Sequence, residues 1–176
     1  MKVKKEDIGF YLWGILYRSD LYNLDEIMLK VFEFSGLTYD PQKIEIFYHD
    51  HVDATEYYSK EMGEQDQLKK VVVINKDVRV SQDLIDLKFA ADKIENFFGH
   101  DQNRMVNIDP GILKKHQVLL TSHKNYTHRL QVHENVYLEL ELLFQEKKFT
   151  PLKWTYSDYK EEGLLRFLEK HRKDLI

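Results

Sequence analysis

The sequence predicts an α+β fold: a ferredoxin-like β-α-β-β-α-β order extended by a β-meander and a C-terminal helix, around a largely antiparallel sheet. Three observations carry this expectation. Apolar runs of strand length, several alternating with polar residues, recur along the chain. Two segments with helical spacing of apolar residues interrupt the first half, which is the order of a split β-α-β unit. Aromatic residues reach 13%, led by Tyr and Phe, a composition suited to a β-rich core.

Each element has its own signal. Gly9 to Arg18 is an apolar first strand bounded by charge. Asn23 or Asp25 caps a helix whose Leu24, Ile27, Met28, Val31 and Phe32 share one face, and Gly36 stops it. Pro41 precedes strand two, Lys43 to His51, and Thr55 to Gln67 reads as irregular. Leu68 to Val80 is strand three, and Ser81 caps a helix from Gln82 to Phe98 that ends at Gly99. Arg104 to Ile108 is strand four. Asp109-Pro110-Gly111 has the chemistry of a turn and is expected to end it. Strands five to seven are His116 to His123, Tyr126 to Val132 and Val136 to Phe144, and Gln145 to Lys148 is a polar turn. Asp158 and Glu161 form a capping box for a closing helix. The helices are expected on one face of the sheet. At 176 residues the chain reads as one globular domain, 1–176.

Alternation fixes one register. In strand seven Val136, Leu138, Leu140, Leu142 and Phe144 make an apolar face, and Tyr137, Glu139 and Glu141 a mostly polar one. Directly paired residues share a face, so Arg129 of strand six must meet Glu139 or Glu141. A two-residue turn at Glu134-Asn135 breaks that match, and an odd loop keeps it. The same alternation points His128 inward among leucines.

Composition excludes several function classes. The chain has no Cys, so disulfides, thiolate catalysis, Cys-bound zinc and iron–sulfur clusters are out. The net charge of −4 with no basic segment gives no clear nucleic-acid footprint. The Ile8 to Tyr17 run follows Lys2, Lys4 and Lys5, but Glu6 and Asp7 precede it and no cleavage site follows. It is also too short to span a bilayer, so no membrane association is expected and a cytoplasmic location is. There is no G-x-x-x-x-G-K-[ST], no G-x-G-x-x-G and no G-x-S-x-G. His49, His51 and Asp53 form H-x-H-x-D, a partial match to a metallo-β-lactamase motif, with Ala54 where a further His would stand; no metal is assigned. Glu139 and Glu141 resemble the paired carboxylates of triphosphate tunnel enzymes, but Leu143 stands where those carry Lys, and a charged strand face accounts for the pair.

Three polar islands remain: Asn107 to Gly111, Thr127-His128-Arg129, and Trp154 to Tyr159. With Thr55 to Gly63, these segments in this order resemble an uncharacterised prokaryotic family, number 4416 of the domain-of-unknown-function series, over most of the chain. Ile112, where the family usually carries Tyr, and Ser157, where it usually carries Pro, depart from its pattern. The resemblance implies a shared fold and brings no activity with it.

The functional expectation is binding or turnover of an anionic, phosphate-bearing small molecule in a polar cleft. Arg129 and Lys88 would hold the anion, His128 or Asp109 would move a proton, and Glu61 and Asn107 would orient the ligand. Tyr57, Tyr58, Trp154, Tyr156 and Tyr159 would supply ring walls. Whether the chain is an enzyme, and with what cofactor, is left open. Two alternatives stand beside this reading: a non-enzymatic interaction or homodimerisation module, and a metal-dependent hydrolase using His49, His51 and Asp53.

Overall fold

The computed structural model describes residues 8–52 and 60–175. Strand β1 (Ile8–Arg18) lies at the centre of the sheet, between β3 (Leu68–Val80) and β4 (Val106–Lys114). β2 (Ile44–Tyr48) pairs with the outer edge of β3, so the first four strands stand in the order β2-β3-β1-β4, all antiparallel. Helices α1 (Leu24–Ser35) and α2 (Leu84–Phe98) make the crossovers, giving the split order expected from sequence. Beyond β4 come β5 (Gln117–Ser122), β7 (Val136–Gln145) and β6 (Arg129–His133); β7 rather than β6 neighbours β5. A short β8 (Lys148–Pro151), absent from the sequence reading, pairs with the last third of β7. β6 and β8 thus lie end to end along the edge of β7 that β5 does not use.

Helices cover both faces, not one. Tyr11, Trp13, Ile15 and Tyr17 of β1 pack under α1 and α2, whereas Phe10 and Leu12 pack with Leu164 and Leu168 of α3 (Glu162–Arg172). The physical reason lies in β1 itself. Its run Phe10-Tyr11-Leu12-Trp13-Gly14-Ile15-Leu16 is apolar on both alternating sets, so each side must be taken from water. Asn23 is the cap of α1, accepting the Glu26 N–H at 2.9 Å while Glu26 accepts the Asn23 N–H at 3.1 Å. Gly36 closes that helix with a left-handed φ of 64°. Ser81 and Asp158 are not caps. Each stands in a 3₁₀ turn ahead of its helix, and Asp158 pairs instead with Lys70 at 2.6 Å.

Two further differences from the sequence reading shape the sheet. Asp109-Pro110-Gly111 is not a turn: β4 runs straight through it. Pro110 is tolerated because its carbonyl, which accepts the Thr121 hydroxyl at 2.8 Å, faces β5 beyond the end of the β4–β5 ladder; its missing N–H faces the same way. The β6–β7 hairpin does use the two-residue turn Glu134-Asn135, with Asn135 at φ 57°. A bulge between Gln131 and His133 absorbs the odd residue and restores Arg129 opposite Glu139. The pairing is as expected, but the polar face is buried rather than solvated. Glu139 and Glu141 are 1% and 0% exposed, while Leu130 on the other face is 70% exposed.

Candidate functional site

Val106, Ile108 and Ile112 of β4 point into the core beneath α1 and α2, so Asn107 and Asp109 look to the α3 side. Gly14 of β1 pairs with Asp109 and leaves room above it. A Cβ on Gly14 would lie 3.3 Å from the Tyr159 hydroxyl, which fills that space. Glu139 pairs with Leu120, whose side chain also packs on the α3 side, and a bulge opposite Val118 and Leu119 turns Glu141 the same way. Sheet pairing thus gathers residues from β4, β6 and β7 on one face.

They form two linked clusters. In the first, Arg104 grips both oxygens of Glu61 (2.9 and 3.3 Å) and donates to Asn107 Oδ1 at 2.7 Å. Asn107 Nδ2 then donates to Asp109 Oδ2 at 2.9 Å. Arg104 also approaches Glu95 of α2 (3.4 Å), whose other oxygen accepts the Ile108 N–H at 2.7 Å. That N–H lies where β4 has no β5 partner, so Glu95 takes the role of the missing strand. Burial raises the Glu95 carboxyl, with Lys88 opposing. Glu61, Glu95 and Arg104 line a cleft of about 310 Å³.

The second cluster centres on Arg129. Its Nε bonds Glu139 Oε2, its Nη1 donates to Ser122 Oγ (2.7 Å) and to the Lys124 carbonyl (2.9 Å), and its Nη2 donates to the Tyr156 hydroxyl at 2.6 Å. Glu141 Oε1 accepts the Tyr156 N–H at 2.6 Å. The gap between β6 and β8 leaves the Leu140 and Glu141 carbonyls without a strand partner. Trp154 Nε1 (2.8 Å) and Thr155 Oγ1 (2.5 Å) fill it. The segment before α3 is therefore laid over the Glu139–Glu141 face by specific bonds. Asp109 connects the clusters, since its charge helps raise both the Tyr156 and Tyr159 phenols, in each case behind burial as the main cause.

Glu141 is the carboxyl with the most altered chemistry in this cluster. Burial pushes its carboxyl up, the Tyr156 N–H opposes this, and Glu139 raises it further by its charge and by accepting its proton; the result is about 8. At neutral pH a carboxyl that keeps its proton therefore lies beside a carboxylate paired with arginine. Two carboxyls held in different states are the usual equipment for proton transfer.

The expected site residues fall as follows. Glu61, Asn107 and Asp109 converge on Arg104, and His128 and Arg129 meet at Glu139. His128 does not point inward among leucines: it precedes β6 and stacks between Tyr126 (5.8 Å) and Trp154 (5.0 Å), with Nε2 3.5 Å from Glu139 Oε1. Lys88 makes no hydrogen bond within either cluster, although its charge acts on Glu95 of the first. It belongs to α2, under the opposite face, with Asp92 3.7 Å away. His49 pairs with Glu161 at 2.6 Å, Asp53 lies outside the described residues, and among those residues no group of His, Asp or Glu is arranged to hold a metal. Tyr57 and Tyr58 also lie outside them.

Arg104 and the burial of the glutamate pair were missed from sequence. The register argument held the signal for the second: an Arg opposite a Glu on a sheet face is free to be buried with it. No helix among the described residues is long and apolar enough to cross a membrane. No curated protein and no solved structure matches the chain. One family model does, described as a domain of unknown function (DUF4416), and it takes in residues 15–175, including all three polar islands that meet on this face. The chain belongs to the DUF4416 family.

Proposed function

We propose that the protein, in the cytoplasm, binds a small polar molecule on the face built by Arg129, Glu139, Glu141 and Tyr156, and that Glu141 and Glu139 exchange a proton with it. The observation that carries this reading is the pair itself: two adjacent buried carboxyls, one kept protonated near neutrality and one tied to Arg129. Asp109 and Tyr156 complete the polar floor. An anionic, phosphate-bearing ligand, the class expected from Arg129 and Lys88, gains less support from the geometry. Arg129 is engaged at all three nitrogens, and Lys88 lies under the other face. A thermal-shift screen of small polar metabolites at pH 7 tests the reading. A ligand at a hundred times its Kd adds about 2.7 kcal/mol, and Glu141→Gln should abolish the shift. A screen in which every shift survives Glu141→Gln would place binding elsewhere.

A second reading, self-association, rests on the free edge of β6. Leu130 is 70% exposed there, and an open edge carrying an exposed apolar residue is a template for strand pairing. Sedimentation of the wild type and Leu130→Lys separates the two readings: a dimer dissolved by the lysine favours association through β6, and a monomer in both removes it.

A further inference from the structure

Glu139 Oε1 and Glu141 Oε2 are fully buried and have no donor other than the Glu141 proton, while the other oxygen of each is taken by Arg129 and by the Tyr156 N–H. The Tyr159 hydroxyl is buried and unpartnered in the same place. One oxygen on each of two neighbouring carboxyls is thus held by nothing but a shared proton, a place open to a stronger bridging donor. The proton of Glu141 is the smallest group that can bridge them, and a ligand N–H is the next.

The charges around the pair favour a cation as that donor. Asp109 of β4 acts, like Glu141, on both the Tyr156 and Tyr159 phenols, and Asp158 of the turn before α3 acts on Tyr159. The cations nearby are already committed: Arg129 of β6 to Glu139, and Lys70 of β3 to Asp158 at 2.6 Å. His128, 3.5 Å from Glu139 Oε1, is a further basic group facing the pair. Aromatic rings stand at the surface above. Tyr156 is 42% exposed yet bonded to both Arg129 and Glu141, and Trp154, 38% exposed, stacks on His128. Carboxylates beneath aromatic faces are the chemistry that selects alkylammonium and guanidinium groups.

We propose that the ligand of this face is a small organic cation, an alkylammonium or alkylguanidinium, whose N–H groups replace the proton between Glu139 and Glu141. The inference rests on the binding reading above and narrows it to a ligand class. Its charge balance is simple: the cation enters, the Glu141 O–H bond breaks, and its proton goes to solvent. Binding therefore releases one proton and tightens as pH rises towards 8. An anion would require the reverse, proton uptake to free Arg129 from Glu139.

Calorimetric titration of the full chain at pH 7, in two buffers of different ionisation enthalpy, tests this. The probes are butylammonium and butylguanidinium, with inorganic phosphate and ribose as anionic and neutral counterparts. The expected result is cation binding with up to one proton released, at least tenfold tighter at pH 8 than at pH 6. Glu141→Gln, which resembles the protonated side chain in shape, should weaken it at least tenfold. Cation binding with no buffer dependence overturns the inference. Binding of phosphate or ribose while the cations stay silent overturns the cation and leaves the binding reading standing. Silence from all four overturns the cation, and the binding reading then stands or falls with the thermal-shift screen.

Discussion

Arg129 and Glu139 pair their charges out of water, and the cost of breaking them is one-sided. Removing the carboxylate leaves a guanidinium whose side chain is 1% exposed. Glu139→Ala should therefore cost about 3–5 kcal/mol in urea denaturation. Tyr156→Phe removes only the acceptor of Arg129 Nη2, at a partly exposed residue where water can replace it, and should cost about 1 kcal/mol. Equal losses in the two variants would mean that Arg129 is solvated. Gly111 is a steric counterpart on the same face. A Cβ there would come 2.3 Å from the Leu119 carbonyl oxygen and 2.6 Å from Leu120 Cδ2, so backbone must move. Gly111→Ala should reach or exceed the ~3 kcal/mol upper end of ordinary overpacking, parting β4 from β5. Gly14→Ala meets a side-chain hydroxyl at 3.3 Å and should cost less.

At the scale of elements, the two capping boxes read from sequence had opposite outcomes. Asn23 and Glu26 form theirs, so Asn23→Ala should lose about 0.5–2 kcal/mol. Asp158 and Glu161 do not, because distant partners displace the local motif: Lys70 takes Asp158 and His49 takes Glu161. A double-mutant cycle of Lys70→Ala and Asp158→Ala should show coupling of up to ~1 kcal/mol. Additive losses would instead return Asp158 to a local helix-capping role. Strand and helix positions were legible for the same reason that these caps were not. Periodicity over ten residues integrates many weak preferences, whereas a cap is one hydrogen bond that a tertiary partner can outcompete. Asp109-Pro110-Gly111 shows the limit from the other side. Its turn chemistry yields because β5 stops pairing at Gly111 and spares Pro110 a ladder bond. In the site, alternation was enough to set Arg129 against Glu139. The side of the sheet that is buried was not legible, because it depends on the segment from Trp154 to Tyr159 folding back over β7.

For the whole molecule, buried ionisable groups set opposite limits on stability with pH. Glu141, and Glu95 with it, has a folded value raised above its unfolded one, chiefly by burial. Between the two values the native state holds the extra proton. Stability from Glu141 is therefore fully present below about pH 4.5, the value its carboxyl has when free of these contacts, and is lost as pH rises to about 8. The slope from this one group is at most ~1.4 kcal/mol per pH unit. His171 acts in the other direction. Burial lowers it, with Glu45 opposing, so its contribution is present above pH 6.5 and is lost as pH falls through its depressed folded value. Urea midpoints from pH 4 to 9 should then decline on the alkaline side. Glu141→Gln, which has no proton to lose, should flatten that decline. His171→Gln should leave the alkaline limb alone and reduce only the acid one. An alkaline limb unchanged by Glu141→Gln would show that the carboxyl ionises in the folded protein as easily as in water, and the proton-sharing pair would go with it.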